Sequence, residues 1–364
     1  MTTNKFSHRS HFFKNENFFN AVSTLLVLLI MFLIISNPTR YSQGTISGLK
    51  LFFQSVLPGL FPFMLLTKLI TELGFLFQIT PKFDKLSRKL FGTPGVSFYA
   101  FFMSILSGYP IGAKIISDLY SKGLITEQEA QKMSVFCTTS GPIFVIGSVG
   151  SIMFNSLKIG IIIYASHIIS SIVMGVFYNL LTRKNQPSST IQIKLLKQNN
   201  ANLLNDAINQ TITSLFVVAA YITIFYLLTE VLESISVISL ITNTLTKLTR
   251  PLGIHPSTIK GITYGFLEVT RGAKELSQSI TPLSISLCCG IISFSGLSIN
   301  LQMMSFLKTA KIKARNFFLS KCVHCVLSIF ICYLIVILNW CHFNVVNSIF
   351  KFISVAFNNC KVLV

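Results

Sequence analysis

Long apolar segments divide this sequence, and most of them are long enough to cross a lipid bilayer. They lie at about residues 18–36, 48–75, 97–118, 133–154, 157–182, 208–233, 235–249, 259–276, 281–307 and 316–340. A membrane-spanning helix needs about 20 predominantly apolar residues. Charged residues make up only 11% of the chain, whereas soluble domains carry about 25%. The sequence therefore predicts an all-α polytopic membrane protein.

Basic residues are concentrated in three loops, 82–89, 183–197 and 308–315, and the formal net charge is +19. Positive loops between apolar segments stay on the cytoplasmic side of a membrane. We therefore interpret the charge as a topology signal, with the lipid bilayer as a partner and no nucleic-acid partner. The run 18–36 ends in "SNPTR" without a cleavage site, so it is interpreted as a transmembrane helix and not as a signal peptide.

Motifs of known enzymes are missing from the sequence: it contains no G-x-S-x-G, no H-E-x-x-H and no P-loop. The cysteines show no disulfide framework, and "CVHC" at 322–325 has no second ligand pair. His167 and His324 lie in apolar runs, and we interpret them as single packing residues. We expect no enzyme activity, no metal and no cofactor.

The two halves of the chain resemble each other on either side of a polar, basic stretch. The matched segments are "KLSRKLFGTPG" (85–95) with "KLTRPLGIHPS" (247–257), "LLTK" (65–68) with "LLTE" (227–230), "GAK" (112–114) with "GAK" (272–274), and "TTSG" (138–141) with "SFSG" (293–296). Four matches in the same order indicate an internal duplication. The predicted organisation is a cytoplasmic N-terminal segment (1–17), a first transmembrane helix with its loop (18–47), membrane repeat 1 (48–182), a cytoplasmic linker (183–205), membrane repeat 2 (206–340) and a C-terminal tail (341–364).

The segment 97–118 is predicted to be a re-entrant hairpin. Three apolar segments lie between two basic loops that should both be cytoplasmic, so one of the three must enter and leave by the same face. The breakers of "LSGYPIGAK" make 97–118 the natural choice. The same argument makes 259–276 re-entrant from the opposite side. The fold is therefore predicted to consist of two inverted repeats with re-entrant hairpins and broken helices, and secondary transporters of this architecture bind substrate at the midplane.

Candidate substrate-binding residues lie at the breaks of these two segments and at a further break in each half, in "CTTSGPIFVIGSVG" (137–150) and "SFSGLSIN" (293–300). Lys114, Arg271 and Lys274 are expected to converge near the midplane as an anion-attracting centre, helped by half-helix N-termini. Asp118 should pair with Lys114, and Glu268 should either pair with Arg271 or bind a coupling ion. The further candidates supply hydroxyls, amides and open backbone; they are Gly108, Tyr109, Pro110, Gly112, Thr138, Thr139, Ser140, Gly141, Ser293, Ser295, Gly296 and Asn300.

Three segments, "VLPGLFPFMLL" (56–66), "LSGYPIGAKIISDLYSKGLIT" (106–126) and "CTTSGPIFVIGSVG" (137–150), carry a family resemblance. Over about residues 20–340 the chain resembles the YlbJ-type sporulation integral membrane proteins, also called stage V sporulation protein V. These proteins carry nucleoside-recognition (Gate) domains, which are similar to the repeat of concentrative nucleoside transporters. The resemblance implies transport of dipicolinic acid across the outer forespore membrane.

Two other functions remain open at this point. The chain is either a secondary transporter of the same fold for a nucleoside or another metabolite, or a non-transporting scaffold of the spore envelope. Its small-molecule partner is therefore expected to be a dicarboxylate or a nucleoside-like compound. A homo-oligomer is also an open alternative.

Overall fold

The structure is a computed structural model that describes residues 5–73, 75–182 and 202–360, and this part of the chain contains helices and no strand. The α-helices are α1 (Lys5–Ser36), α2 (Pro38–Leu51), α3 (Leu57–Glu72), α4 (Phe75–Phe91), α5 (Val96–Ser107), α6 (Ile111–Ser121), α7 (Glu127–Phe136), α8 (Leu157–Thr182), α9 (Leu203–Ser234), α10 (Val237–Thr249), α11 (Pro256–Leu267), α12 (Val269–Leu276), α13 (Pro282–Phe294), α14 (Gly296–Leu307) and α15 (Ala314–Cys360). Wider π-helical turns form Phe52–Val56 and Ile143–Met153. The all-α prediction is confirmed.

Several helical segments of the described chain are long and apolar enough to cross a membrane. Four qualify alone: Leu157–Thr182, Leu203–Ser234, Pro282–Ala310 and Ala314–Leu338. Two more qualify as bent pairs, Asn20–Ser36 with Pro38–Gln54 at 106° and Thr80–Phe91 with Val96–Ser107 at 84°. The segment 97–118 is not one continuous helix, because it is divided between α5 and α6.

Helices extend across the N-terminal boundaries predicted from the sequence. Residues 5–17 belong to α1, and the predicted loop at 37–47 is mostly α2. Asn37 caps α2 by accepting a hydrogen bond from the backbone N–H of Arg40 (3.3 Å), and Pro38 stands at the first helical position. Proline is favoured there because its missing N–H has no partner in the first turn of a helix. The first four residues lie outside the described part of the chain.

The other predicted boundaries also shift. The linker was placed at 183–205, but α9 already begins at Leu203, and residues 183–201 lie outside the described chain. The tail was set apart from residue 341, but α15 continues to Cys360 without interruption. Residues 361–364 are not described.

The same order of elements occurs before and after the linker. In the first half, α3 and the amphipathic α4 precede a pair of short helices (α5 and α6), a second interrupted pair (α7 and the π-helix 143–153) and the long α8. In the second half, α9 and α10 precede the pairs α11/α12 and α13/α14 and then the long α15. Each half therefore contains two broken helices in succession.

These interrupted pairs lie inside the helix bundle. Helix α13 packs on both α15 and α8, α14 packs on α6, and α9 contacts α2, α3 and α14. Aromatic contacts stabilise the first half: the Phe136 ring stacks on Phe91 at 4.2 Å and meets Phe101 edge-to-face at 5.6 Å between ring centroids. The four helix breaks are thus held by packing from several long helices.

Candidate functional site

The first break separates α5 from α6 at Gly108, whose φ of +81° is accessible to glycine and strained for other residues. A Cβ atom at Gly108 would lie 2.4 Å from the backbone nitrogen of Gly141. A Cβ at Gly112 would lie 1.7 Å from the carbonyl oxygen of Cys137. The backbone of the first hairpin therefore touches the second break directly at both glycines.

The second break runs from Cys137 to Gly141, between α7 and the π-helix 143–153. Thr139 ties it to α5, because its backbone N–H donates to Ser104 Oγ at 3.0 Å and its hydroxyl lies 2.8 Å from the same oxygen. The Thr138 hydroxyl donates to the carbonyl of Ser134, four residues earlier in the chain (2.9 Å). Thr138 thus offers its carbonyl oxygen to the interior while its hydroxyl is used locally.

The two breaks of the second half also pack on each other. Glu268 stands in extended backbone between α11 and α12 (φ −142°, ψ 119°). Ser295 and Gly296 turn the chain between α13 and α14 with φ values of +76° and +61°. A Cβ at Gly296 would lie 3.1 Å from the carbonyl oxygen of Gly265 and 3.3 Å from that of Leu267. In this break Asn300 donates to the freed carbonyl of Phe294 at 2.7 Å.

Hydrogen bonds join the breaks of the two halves at what we call the central crossing: Tyr109, Thr138–Gly141, His167, Ser293, Lys321 and His324. The Tyr109 hydroxyl donates to the Ile292 carbonyl of α13 (2.9 Å). His167 Nε2 accepts from the Ser140 N–H (2.9 Å), and His167 Nδ1 lies 2.8 Å from Ser293 Oγ. Because a backbone N–H can only donate, Nε2 is unprotonated and Nδ1–H donates to Ser293.

The prediction that His167 and His324 are single packing residues is wrong. Their rings stack at 5.1 Å between centroids, and both are fully buried. His324 Nε2 lies 2.9 Å from Ser170 Oγ and 3.3 Å from the His167 carbonyl, which can only accept, so Nε2 carries the proton. The other ring nitrogen, Nδ1, is buried and has no hydrogen-bond partner in the described chain.

Lys321 is the cation of the central crossing, and the sequence analysis missed it. The residue lies in α15 and is 0% exposed, and its ammonium donates to the Thr138 carbonyl at 2.7 Å. The same nitrogen lies 5.2 Å from the centroid of the Tyr109 ring. A sequence signal existed: Lys321 and His324 interrupt an apolar run three residues apart, which places both on one helix face, and an ionisable residue inside a membrane segment is a functional candidate.

Lys114 lies in a separate group that we call the α3–α6 cluster: Lys68, Glu72, Lys114, Asp118 and Lys122. The predicted pair of Lys114 with Asp118 is confirmed, at 3.1 Å. Lys68 contacts both acids, Asp118 at 3.3 Å and Glu72 at 3.1 Å, and Lys122 contacts Glu72 at 2.9 Å. A small, partly open cavity between α3, α6 and α9 is lined by Lys68, Lys114 and Asp118 and by Gln210, Thr211 and Ser214.

Arg271 lies in a third group, the α9–α12 cluster: Arg40, Glu230, Glu233 and Arg271. Its guanidinium contacts Glu233 at 3.0 Å and Glu230 at 3.4 Å, and it stacks over the Tyr264 ring. The predicted ion pair of Arg271 with Glu268 is wrong. The Glu268 carboxylate instead caps α12 by accepting from the N–H groups of Thr270 (3.0 Å) and Arg271 (2.8 Å).

The predicted convergence of Lys114, Arg271 and Lys274 is also wrong. Lys114 shares its cavity with residues near the start of α9, up to Ser214, whereas Arg271 contacts Glu230 near the end of α9. Ser214 and Glu230 are 16 positions apart, which corresponds to about 24 Å along a helix. Lys274 is exposed. These cations therefore belong to different ends of the bundle, and none of them is a member of the central crossing.

Comparison with known proteins gives one curated relative. The chain is 26% identical over 330 residues to the sporulation integral membrane protein YlbJ of Bacillus subtilis (strain 168), in an alignment that covers 82% of this chain and 79% of that protein. The resemblance to YlbJ-type proteins expected from the sequence is confirmed by this match. No family model and no solved structure matches the chain.

Proposed function

We propose that the chain, which resembles a sporulation integral membrane protein, transports a small organic anion across a membrane of the sporulating cell. Dipicolinate is the proposed substrate, and the outer forespore membrane is the proposed location. The proposal involves no chemical step and no cofactor.

The packing of four helix breaks against one another in the interior carries this proposal. Irregular backbone at membrane depth is tolerated where it is buried in protein or lines a cavity. Secondary transporters hold substrate and coupling ions at such discontinuous helices. A scaffold protein of the spore envelope has no need for breaks that lie in backbone contact, such as Gly108 with Gly141. We therefore prefer transport to a scaffold role.

The finer fold proposal is two inverted repeats arranged as in concentrative nucleoside transporters. The recurring element order supports it, and so does the position of the ion pairs between each hairpin and the long helix beside it. Lys68 of "LLTK" on α3 pairs with Asp118 on α6, and Glu230 of "LLTE" on α9 pairs with Arg271 on α12. Lys68 and Glu230, which occupy matched positions and carry opposite charges, thus each pair with the second helix of a hairpin. The two contacts lie near opposite ends of α9, as inversion requires.

Transport by the purified full chain tests the function. Proteoliposomes that contain the protein should take up radiolabelled dipicolinate faster than protein-free vesicles, and unlabelled dipicolinate should compete. Spores of a strain that lacks the gene but keeps its dipicolinate synthase should contain little dipicolinate. Uptake of uridine without dipicolinate would favour the nucleoside alternative. Absence of uptake of either compound, with normal dipicolinate in the spores, would support the scaffold role.

A further inference from the structure

Lys321 differs from the other charged residues near the helix breaks in the groups that surround it. Its ammonium is completely buried, and the contacts around it are the Thr138 carbonyl at 2.7 Å and the faces of the Tyr109 and Phe317 rings at 5.2 and 5.7 Å. His324 follows on the same face of α15. Among the ion pairs of residues 5–73, 75–182 and 202–360, none includes Lys321.

The cations predicted from the sequence, in contrast, have carboxylate partners. Lys114 has Asp118, and Arg271 has both Glu230 and Glu233. An ammonium removed from water is stable when an anion and further hydrogen bonds replace its hydration. Lys321 faces the partial negative charges of a carbonyl oxygen and of two aromatic rings, and it makes no ion pair with a carboxylate of the described residues. Lys321, and not Lys114 or Arg271, is therefore the cation that an incoming anion would neutralise.

The surroundings of Lys321 suit a carboxylate. An ammonium has three N–H donors, and the Thr138 carbonyl accepts one of them. Tyr109, which covers the ammonium, is the residue before Pro110 and the start of α6. The first turn of α6 contains no acidic residue, and its N-cap, Pro110, makes no side-chain hydrogen bond. The positive end of that helix dipole therefore adds to the charge of Lys321.

We propose that Lys321 binds a carboxylate group of the transported anion at the central crossing, in a position that becomes accessible when Tyr109 and the first hairpin move aside. This assignment rests on the proposed function, because it takes the substrate to be an organic anion. It assigns Lys114 and Arg271 to the structure of the hairpins and not to the substrate.

Binding of dipicolinate to the purified full chain in lipid nanodiscs tests the assignment. Lys321→Met removes the charge while it keeps the length of the side chain, and Lys321→Gln also keeps an N–H donor for the Thr138 carbonyl. We expect both variants to bind dipicolinate about ten- to a hundredfold more weakly, which is the loss expected for one charge-assisted hydrogen bond. Their unliganded thermal midpoints should equal or exceed that of the wild type, because loss of an unpaired buried charge does not destabilise a fold.

Lys132→Met is the matched control. Lys132 is also a buried helical lysine, and its ammonium also donates to a neutral oxygen, Asn179 Oδ1 at 3.3 Å. It lies on α7 before the second break and outside the central crossing. We expect Lys132→Met to keep dipicolinate affinity within about twofold, since no substrate contact is removed.

Each result supports or contradicts the assignment of Lys321 as a substrate-binding residue. Wild-type affinity in Lys321→Met would overturn the assignment, and so would recovery of affinity in Lys321→Gln, because the hydrogen bond to Thr138 would then be the whole role. Unfolding of both variants without ligand would also overturn it. If the wild type itself binds no dipicolinate, the proposed function fails together with this assignment, whereas binding that does not depend on Lys321 leaves the function standing.

Discussion

The central crossing and the two peripheral clusters all contain basic side chains, but these side chains differ in burial and in the groups that they contact. In the α3–α6 and α9–α12 clusters, Lys114 and Arg271 are partly exposed and sit against carboxylates. In the central crossing, Lys321 is fully buried against a carbonyl, aromatic rings and histidines. Each of these peripheral cations contacts a carboxylate, whereas Lys321 contacts none in the described chain. A cation that the fold already neutralises stabilises the fold, and a cation that it leaves unbalanced is available to a ligand.

The largest effect is expected where the two breaks touch. Gly112→Ala places a Cβ 1.7 Å from the Cys137 carbonyl oxygen, so the first hairpin must move away from the second break. Overpacking of this kind costs about 3 kcal/mol or more, and we expect lost dipicolinate transport with a markedly lower thermal midpoint. The matched control is Gly147→Ala in the π-helix after the second break, where an added Cβ meets nothing within 4 Å. Equal behaviour of the two variants would contradict the close contact at the crossing.

An intermediate effect is expected in the α9–α12 cluster. Arg271→Gln leaves Glu230 and Glu233 facing each other with Arg40 as the remaining cation, 3.7 Å from Glu230. Because the cluster is partly exposed, the loss should be about 1–2 kcal/mol of stability, between surface and buried pairs. The thermal midpoint should fall while dipicolinate affinity stays the same. A drop in affinity as large as that of Lys321→Met would contradict the claim that Arg271 is structural and Lys321 binds the substrate.

The smallest effect is expected in the α3–α6 cluster. Lys114→Met removes one of two lysines from Asp118, and Lys68 stays at 3.3 Å. The loss in stability should be below about 1 kcal/mol and should shrink further in high salt, since partly exposed pairs are screened. Thermal midpoints at low and high ionic strength measure this. If Lys114→Met instead weakens dipicolinate binding tenfold, then the cavity between α3, α6 and α9 is the substrate site.

Features that depend on local sequence could be predicted. Gly108 and Pro110 identified the first break, "TTSG" and "SFSG" identified two more, and the spacing of Lys114 and Asp118 predicted their ion pair. In each case the residues that form the feature are within a few positions of one another. Glycine and proline change backbone geometry where they stand, so the sequence alone is enough.

Features that depend on distant residues could not be predicted. Lys321 and Thr138 are separated by 183 positions, and His167 and Ser293 by 126. Arg271 and Glu233 are 38 positions apart on different helices. A single sequence shows which residues are charged, but it does not show which acid lies next to which base. For that reason the sequence ranked Arg271 as a substrate cation and overlooked Lys321.

Glu268 gives the hairpin α11/α12 a different charge distribution from the hairpin α5/α6, although each consists of two short helices. Its carboxylate occupies the amino end of α12, where it accepts two backbone N–H groups, and a helix carries a partial positive charge at that end. In the described chain the amino end of α6 has no such acid. The amino end of α12 therefore already holds an anion, and the amino end of α6 does not. For the proposed anionic substrate, we therefore expect a more favourable position beside Tyr109 than beside Glu268.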